Sequence, residues 1–367
     1  MPKLTQKEIC DIWLKNKNIN PETSRKIKEN GPLYKQLQNK CSLNQKEKNK
    51  DITIKNYISS IQHKNNCLKL FKKTNKTLKY KIGNDIILDK KIDKTKNNIV
   101  FLGNYNNYKF SVKILEKSKN NKYELIILKE LTKKIIDLEC PHFIFNYGYL
   151  KCVKINLKSD DEKIYYPQIL NKSNNLYFQI NKLASGNLNK ILKLFYNNFE
   201  ILFNSFIQSL ISIMFFHKYI NAHHCNTNSN NFLYHKIKPG GYFHYNIYGN
   251  DYYLENIGYL WVLSDFNSIK PFIDSKEINN NKFGDLISFI PVLTDFDIII
   301  NDFSKLATIR KLIDKIKIVL QFKYNKNVNS FILPNVNKDL LELLVDNKSF
   351  TTVKPSKIIN KTPYIIR

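Results

Sequence analysis

The sequence predicts an α+β chain with two lobes, a β-rich first lobe and a helical second, preceded by a small helical module. Three observations carry this. Short β-prone runs at Asp85–Leu88, Ile99–Leu102 and Phe110–Leu115, split by Asn, Lys and Gly turns, crowd the first half. A nearly all-apolar repeat through Leu202, Phe206, Leu210 and Ile213 marks a helix buried on most sides. With 43% hydrophobic residues over 367 positions, the chain has enough apolar surface to bury two cores with a cleft between them.

Residues 1–42 read as a compact helical module bracketed by Cys10 and Cys41. Asn20-Pro21-Glu22-Thr23 is a turn and helix-start signal, and Gly31-Pro32 breaks the chain before Leu33-Tyr34-Lys35-Gln36-Leu37. Residues 43–80 are rich in Lys, Asn and Gln, with short apolar clusters at Ile58, Ile61, Leu68, Leu70 and Phe71, and read as a linker with a marginal helix. Residues 81–335 form the main domain. Its order is three strands, a helix from Tyr123-Glu124-Leu125-Ile126-Ile127-Leu128, two strands at 143–150 and 176–183, and then helices, including an amphipathic stripe through Leu306, Ile309, Ile313, Ile316 and Leu320. Residues 336–367 read as a C-terminal helix and tail.

A net charge of +28 would suit an anionic partner. The lysines are nevertheless spread along the whole chain, and Lys, Asn and Ile are the residues that AT-rich codons favour, so nucleic acid is not expected as a partner. No apolar run approaching the ~20 residues of a membrane span is read, and the N-terminus lacks the apolar segment of a signal peptide. The six cysteines form no C-x-x-C pair, which argues against a structural zinc site and for thiols.

The string Cys10…Trp13…Ile19-Asn20-Pro21-Glu22-Thr23-Ser24-Arg25-Lys26-Ile27…Gly31-Pro32…Tyr34…Leu37…Cys41 resembles the two-cysteine adaptor domain fused to assorted enzymes in large DNA viruses of insects. Lys17 and Ser24 depart from it, standing where that family usually has Pro and Gly. The resemblance implies protein partners bound through this module and an intracellular setting, host cytoplasm or virion, rather than secretion.

His224-Cys225-Asn226-Thr227-Asn228-Ser229-Asn230-Asn231-Phe232-Leu233, followed by Leu263-Ser264-Asp265-Phe266-Asn267, resembles the catalytic and metal-binding loops of protein kinases. The resemblance implies a bilobal protein-kinase-like fold, with ATP and Mg²⁺ as ligands. It makes His224 the structural histidine, Asn231 and Asp265 the metal ligands, Lys113 the lysine that grips nucleotide phosphates and Glu124 its helix partner. Ile180 through Leu188 is similar to the hinge between lobes, with Ile180 at the nucleotide. Asp285 resembles a buried aspartate of a later helix.

Two departures bear on activity. Asn226 occupies the position of the catalytic aspartate, and a neutral amide cannot usefully accept a proton from a substrate hydroxyl. Asp93, Thr95 and Asn98 stand at the three glycines of the phosphate-covering loop, where side chains crowd the phosphates and Asp93 adds negative charge. Asn267 replaces a glycine, a milder change because Asn tolerates left-handed backbone. The segment from Asp265 to Asp285 is short for a peptide-docking segment, while 238–250 reads as an enlarged aromatic hairpin, either packed on the second lobe or offered to a protein partner. The functions to weigh are therefore a pseudokinase or very weak kinase acting through binding, an active divergent Ser/Thr kinase transferring the ATP γ-phosphate to protein hydroxyls, and a pure interaction scaffold.

Overall fold

The computed structural model describes residues 9, 12–13, 16–29, 31–62, 68–73, 78–83, 85–94, 99–137, 140–152, 176–194, 198–271, 285, 345, 348–360 and 362–366. Within the N-terminal module, Trp13, Tyr34 and Leu37 make a small buried cluster flanked by Ile9 and Ile27. The Trp13 and Tyr34 rings meet edge to face at 5.4 Å, and the indole N–H donates to the Lys17 carbonyl. The turn after Asn20 closes with Ser24 at φ 56°, its N–H donating to the Asn20 carbonyl. A left-handed residue at this turn accounts for the glycine that the adaptor pattern places there.

Helix α1, Pro32–Ile61, starts where Gly31-Pro32 announced it, with Pro in the first turn. It runs on for 30 residues, through much of the segment read as a linker. The reason is visible in the spacing. Ile54, Tyr57, Ile58 and Ile61 recur at i, i+3, i+4 and i+7, and this stripe packs on the first-lobe core, with Ile54 and Ile58 fully buried. The Lys/Asn-rich composition around it diluted a signal that docking makes decisive. The rest of that segment holds two further strands, β1 (Leu68–Lys73) and β2 (Leu78–Ile82), so the sheet begins before residue 81.

The first lobe is a seven-stranded antiparallel sheet in the order β1-β2-β3-β4-β5-β7-β6. Its other strands are β3 (Ile86–Lys94), β4 (Ile99–Tyr105), β5 (Tyr108–Glu116), β6 (Asn146–Cys152) and β7 (Leu176–Lys182). Helix α2 (Lys119–Asp137) separates β5 from β6, so that five strands precede it where three were expected, and two follow it as expected. Alternation along β5 sorts its two faces. Phe110, Val112 and Ile114 join Phe178, Ile180 and the α1 residues in one core, whereas Leu115 packs with Leu125 of α2 and Tyr177. Lys113 shares the second face, and so is aimed at α2.

Short strand β8 (Gly186–Asn187) and helix α3 (Leu188–Leu194) lead into α4 (Phe199–Ile220), the central helix of the second lobe. Leu202, Phe206, Leu210 and Ile213 are all buried, as their spacing predicted. Against the expectation of no span-length apolar run, Glu200–Ile220 is long and apolar enough to cross a membrane, but 83% of that window is buried inside the lobe. After α4 come β9 (Ala222–His223), β10 (Phe232–Lys236), β11 (Tyr242–Ile247), β12 (Asn250–Glu255), β13 (Tyr259–Leu263) and β14 (Lys270–Pro271). The aromatic hairpin is β11–β12, turning at Tyr248 and Gly249, both at positive φ. Phe243, Tyr245, Ile247, Tyr252 and Leu254 point into the core. Both hairpin edges are paired by the tail, β12 with β15 (Phe350–Thr351) and β11 with β16 (Tyr364–Ile366). The 306–320 stripe lies outside the described residues. Cys140 and Cys225 are free thiols, as expected, but Cys152 is disulfide-bonded.

Replacing Ser24 by Gly relieves the left-handed strain, and the adaptor turn is expected to gain about 1 kcal/mol. Slower hydrogen exchange at the Ser24 and Ile27 amides, with the rest of the chain unchanged, is the readout.

Candidate nucleotide site

Three segments far apart in sequence meet at one ammonium group. Lys113 Nζ lies 2.9 and 3.2 Å from the two Glu124 oxygens and 2.5 Å from Asp265 Oδ1. Strand β5 supplies the lysine, α2 the glutamate and the turn after β13 the aspartate. Glu124 is fully buried and Lys113 nearly so, while the Asp265 side chain keeps 27% of its surface exposed. Burial works against the Lys113 charge, but the Glu124 and Asp265 carboxylates outweigh it and hold the ammonium above its ordinary pKa. Burial is also the largest influence on Glu124; with the push of Asp265 it outweighs the pull of Lys113 and raises that carboxyl. Both shifts have one origin. Two carboxylates face one ammonium, leaving an excess negative charge that a cation would relieve.

Asp265 is held at φ 62°, a left-handed conformation unusual for a side chain with a Cβ, and the neighbouring Phe266 N–H bonds back to Glu124. Phe266 is buried, stacked on Phe216 at 5.5 Å and edge-on to His224 at 5.3 Å. Asn231 reaches the same place through strand pairing. Phe232 opposes Leu263, and both the N–H and the hydroxyl of Ser264 donate to the Asn231 carbonyl at 2.9 Å, which sets Asn231 beside Asp265. The Asn231 amide nitrogen donates to the Asn226 carbonyl at 2.7 Å, and the side-chain oxygen of Asn226 accepts from Asn228 at 2.6 Å. Asn226 is thus fixed within the loop.

The loop is clamped from below by Asp285. Its carboxylate accepts from the backbone N–H groups of His224 and Cys225, at 2.7 and 2.6 Å, and lies 2.8 Å from His217 Nε2, while its carbonyl accepts from the Thr227 hydroxyl. Burial would raise this carboxyl, but His217 and the loop N–H groups outweigh it and keep the pKa below the ordinary range. His224 Nε2 lies 3.0 Å from the Ser264 carbonyl, and burial lowers its pKa. Cys225, at φ 58°, takes the strain of the turn. His217, His223 and Asp285 also bring ligand atoms within 4.8 Å of one another. Because the Asp285 oxygens already accept from three groups, the trio reads as part of the clamp.

The remaining sequence-predicted residues divide. Asp93 is exposed on β3 opposite Val100, which in turn opposes Lys113, so its backbone lies two strands, about 10 Å, from that of the lysine. Thr95 and Asn98 lie outside the described residues. Ile180 is corrected. It opposes Val112 and its side chain is buried in the α1-facing core, while Gln179 opposes Lys113. Gln179 is 2% exposed and its Oε1 has no hydrogen-bond partner among the described residues. A single polar residue in the apolar run Leu176-Tyr177-Phe178-Gln179-Ile180 was the available signal for it.

Two kinds of buried group make the second lobe acid-sensitive. His142, bracketed by the Trp261 carbonyl and the Tyr245 hydroxyl, is pushed down to about 4 by burial, so the unfolded chain binds its proton first and stability falls as pH drops from about 6.5 toward 4. Asp285, depressed in the fold, withdraws its contribution only as pH falls below its unfolded value of about 3.9. Urea melts are expected to show about 2 kcal/mol lost from His142 between pH 7 and pH 5, recovered in His142→Gln relative to that variant's own pH 7 value.

The 2-cysteine adaptor domain matches residues 9–42, and the chain matches no curated protein. Among solved structures, a crystal structure of a kinase domain is similar with 17% identity and a TM-score of 0.41, over 62% of this chain and 67% of that one. Residues 9–42 thus match the 2-cysteine adaptor domain, and the described residues after them form a mixed α and β fold built on a seven-stranded antiparallel sheet.

Proposed function

We propose that the two-lobed domain is a kinase-like nucleotide-binding protein whose phosphoryl transfer is absent or very weak, and that the adaptor module supplies its protein partners. The observation that carries this reading is the buried Lys113–Glu124–Asp265 network with Asn231 beside it. An isolated buried ammonium would be costly, whereas this one faces two carboxylates and leaves the network with excess negative charge, which suits a site that receives a cation and, with it, phosphate oxygens.

The donor set fits Mg²⁺, which takes a few hard oxygens together with phosphate and water. Asp265 would supply a carboxylate oxygen and Asn231 its Oδ1, since its nitrogen is committed to the Asn226 carbonyl. The bound ion would neutralise phosphate charge. Lys113 orients the phosphates, Glu124 keeps Lys113 in place, and the hinge backbone after Lys182 borders the base. Asn226 sits where a proton acceptor is needed and offers an amide. Asp93 adds repulsion on the phosphate side of the sheet. Affinity is therefore low and transfer lower still, and binding is the activity left to the fold.

Calorimetry on the full chain is expected to show ATP binding only with Mg²⁺, weakened at least about tenfold by Asp265→Ala. No heat at millimolar ATP would leave the scaffold reading. Asn226→Asp, isosteric and still able to accept from Asn228, is expected to raise phosphate transfer about a hundredfold over the parent chain. Robust transfer by the parent chain, unchanged by this substitution, would favour an active divergent Ser/Thr kinase.

A further inference from the structure

We propose that helix α1 is a lever joining the adaptor module to the hinge, and that Asp51 is the point where it grips. The helix begins at Pro32, inside the matched adaptor residues 9–42, and continues without interruption to Ile61, about 45 Å in all. Its far half is built onto the first lobe. Ile54 and Ile58 enter the sheet core, and Gly148 on β6, at φ 134°, lets Ile58 approach so closely that a Cβ there would lie 3.0 Å from its side chain. Tyr57 donates to Asp85 at 2.8 Å and stacks on Tyr105.

Asp51 makes a different kind of contact. One carboxylate oxygen accepts from the Tyr147 hydroxyl of β6 and the other lies 2.7 Å from Lys182 Nζ, on the last residue of β7. The Lys182 N–H holds the Phe145 carbonyl, and three residues later the Ser185 N–H bonds to the Tyr234 carbonyl on β10, in the second lobe. His235 of β10 faces the same pair. Burial first, and the Lys182 charge second, push its pKa down to about 4, with Asp51 acting in the opposite sense. One carboxylate on the adaptor's helix thus neighbours β6 and β7 of the first lobe and β10 beyond the hinge. The strand it holds also carries Gln179 opposite Lys113. Lys182 and Asp51 are 39% and 23% exposed, so a partner drawing on the adaptor can separate them without unfolding either lobe. Axial displacement of α1 removes the carboxylate from the Lys182 ammonium and frees β7 and the hinge to shift. The proposal rests on the lobes and the hinge, not on nucleotide binding.

The test compares the full chain with two variants. Asp51→Asn removes the charge facing Lys182 but keeps an acceptor for Tyr147, whereas Tyr57→Phe removes the bond to Asp85 and touches no hinge strand. Hydrogen–deuterium exchange over 178–187 is expected to accelerate on the order of fivefold in Asp51→Asn and to stay at the parent rate in Tyr57→Phe. Unchanged exchange in Asp51→Asn would overturn the lever, and equal acceleration in both variants would reduce it to general loosening. Should Asp51→Asn fail to fold, Lys182→Met carries the same comparison. Exchange is read without nucleotide, so a failure of ATP binding is seen separately by calorimetry.

Discussion

A buried ammonium between two carboxylates is the constraint on which the rest of the molecule depends. Lys113 can stay charged out of water only if α2 presents Glu124 and the turn after β13 presents Asp265. Those partners belong to different lobes, so the ion network is also the joint between them. It explains why Phe266 must tuck against His224, why the strand before it pairs with β10, and why Asp265 tolerates a left-handed backbone. Each of these costs something locally and is held by the charge geometry.

Asp285 plays the corresponding part below the cleft. Its carboxylate holds the N–H groups of His224 and Cys225 and so fixes the loop that carries Asn226 and Asn231. Within that loop Asn226 presents a neutral amide, its carbonyl taken by Asn231 and its side-chain oxygen by Asn228.

Much of this was legible in the sequence because it rests on local signals. The strand–helix–strand order came from alternation, α4 from its apolar spacing, and Lys113, Glu124, Asn231, Asp265 and Asp285 from motif order, and the structure brings the first two and Asp265 into one network. What escaped depends on tertiary contact. Helix α1 was hidden because Ile54, Tyr57, Ile58 and Ile61 stand among lysines and asparagines, and only the sheet they dock on makes them a core face. Ile180 and Gln179 were exchanged because register decides which face a strand residue occupies, and a shift of one residue moves every side chain to the other side. The hairpin's aromatic residues read more readily as packed on the second lobe than as a docking surface, and the strands at 350–351 and 364–366 cover both of its edges.

That covering has a consequence for how the chain is made. The central hairpin of the second lobe is synthesised roughly a hundred residues before the strands that complete its sheet, at 350–351 and 364–366. The first lobe, whose strands all precede residue 183, has every partner available while the ribosome is still elongating. The hairpin's two open edges must wait, exposed, for pairing across a long loop, a slow and aggregation-prone closure. On emergence from the ribosome, the molecule passes through a stage with one finished lobe and one unfinished, and its vulnerability to chaperones and proteases is concentrated in the second.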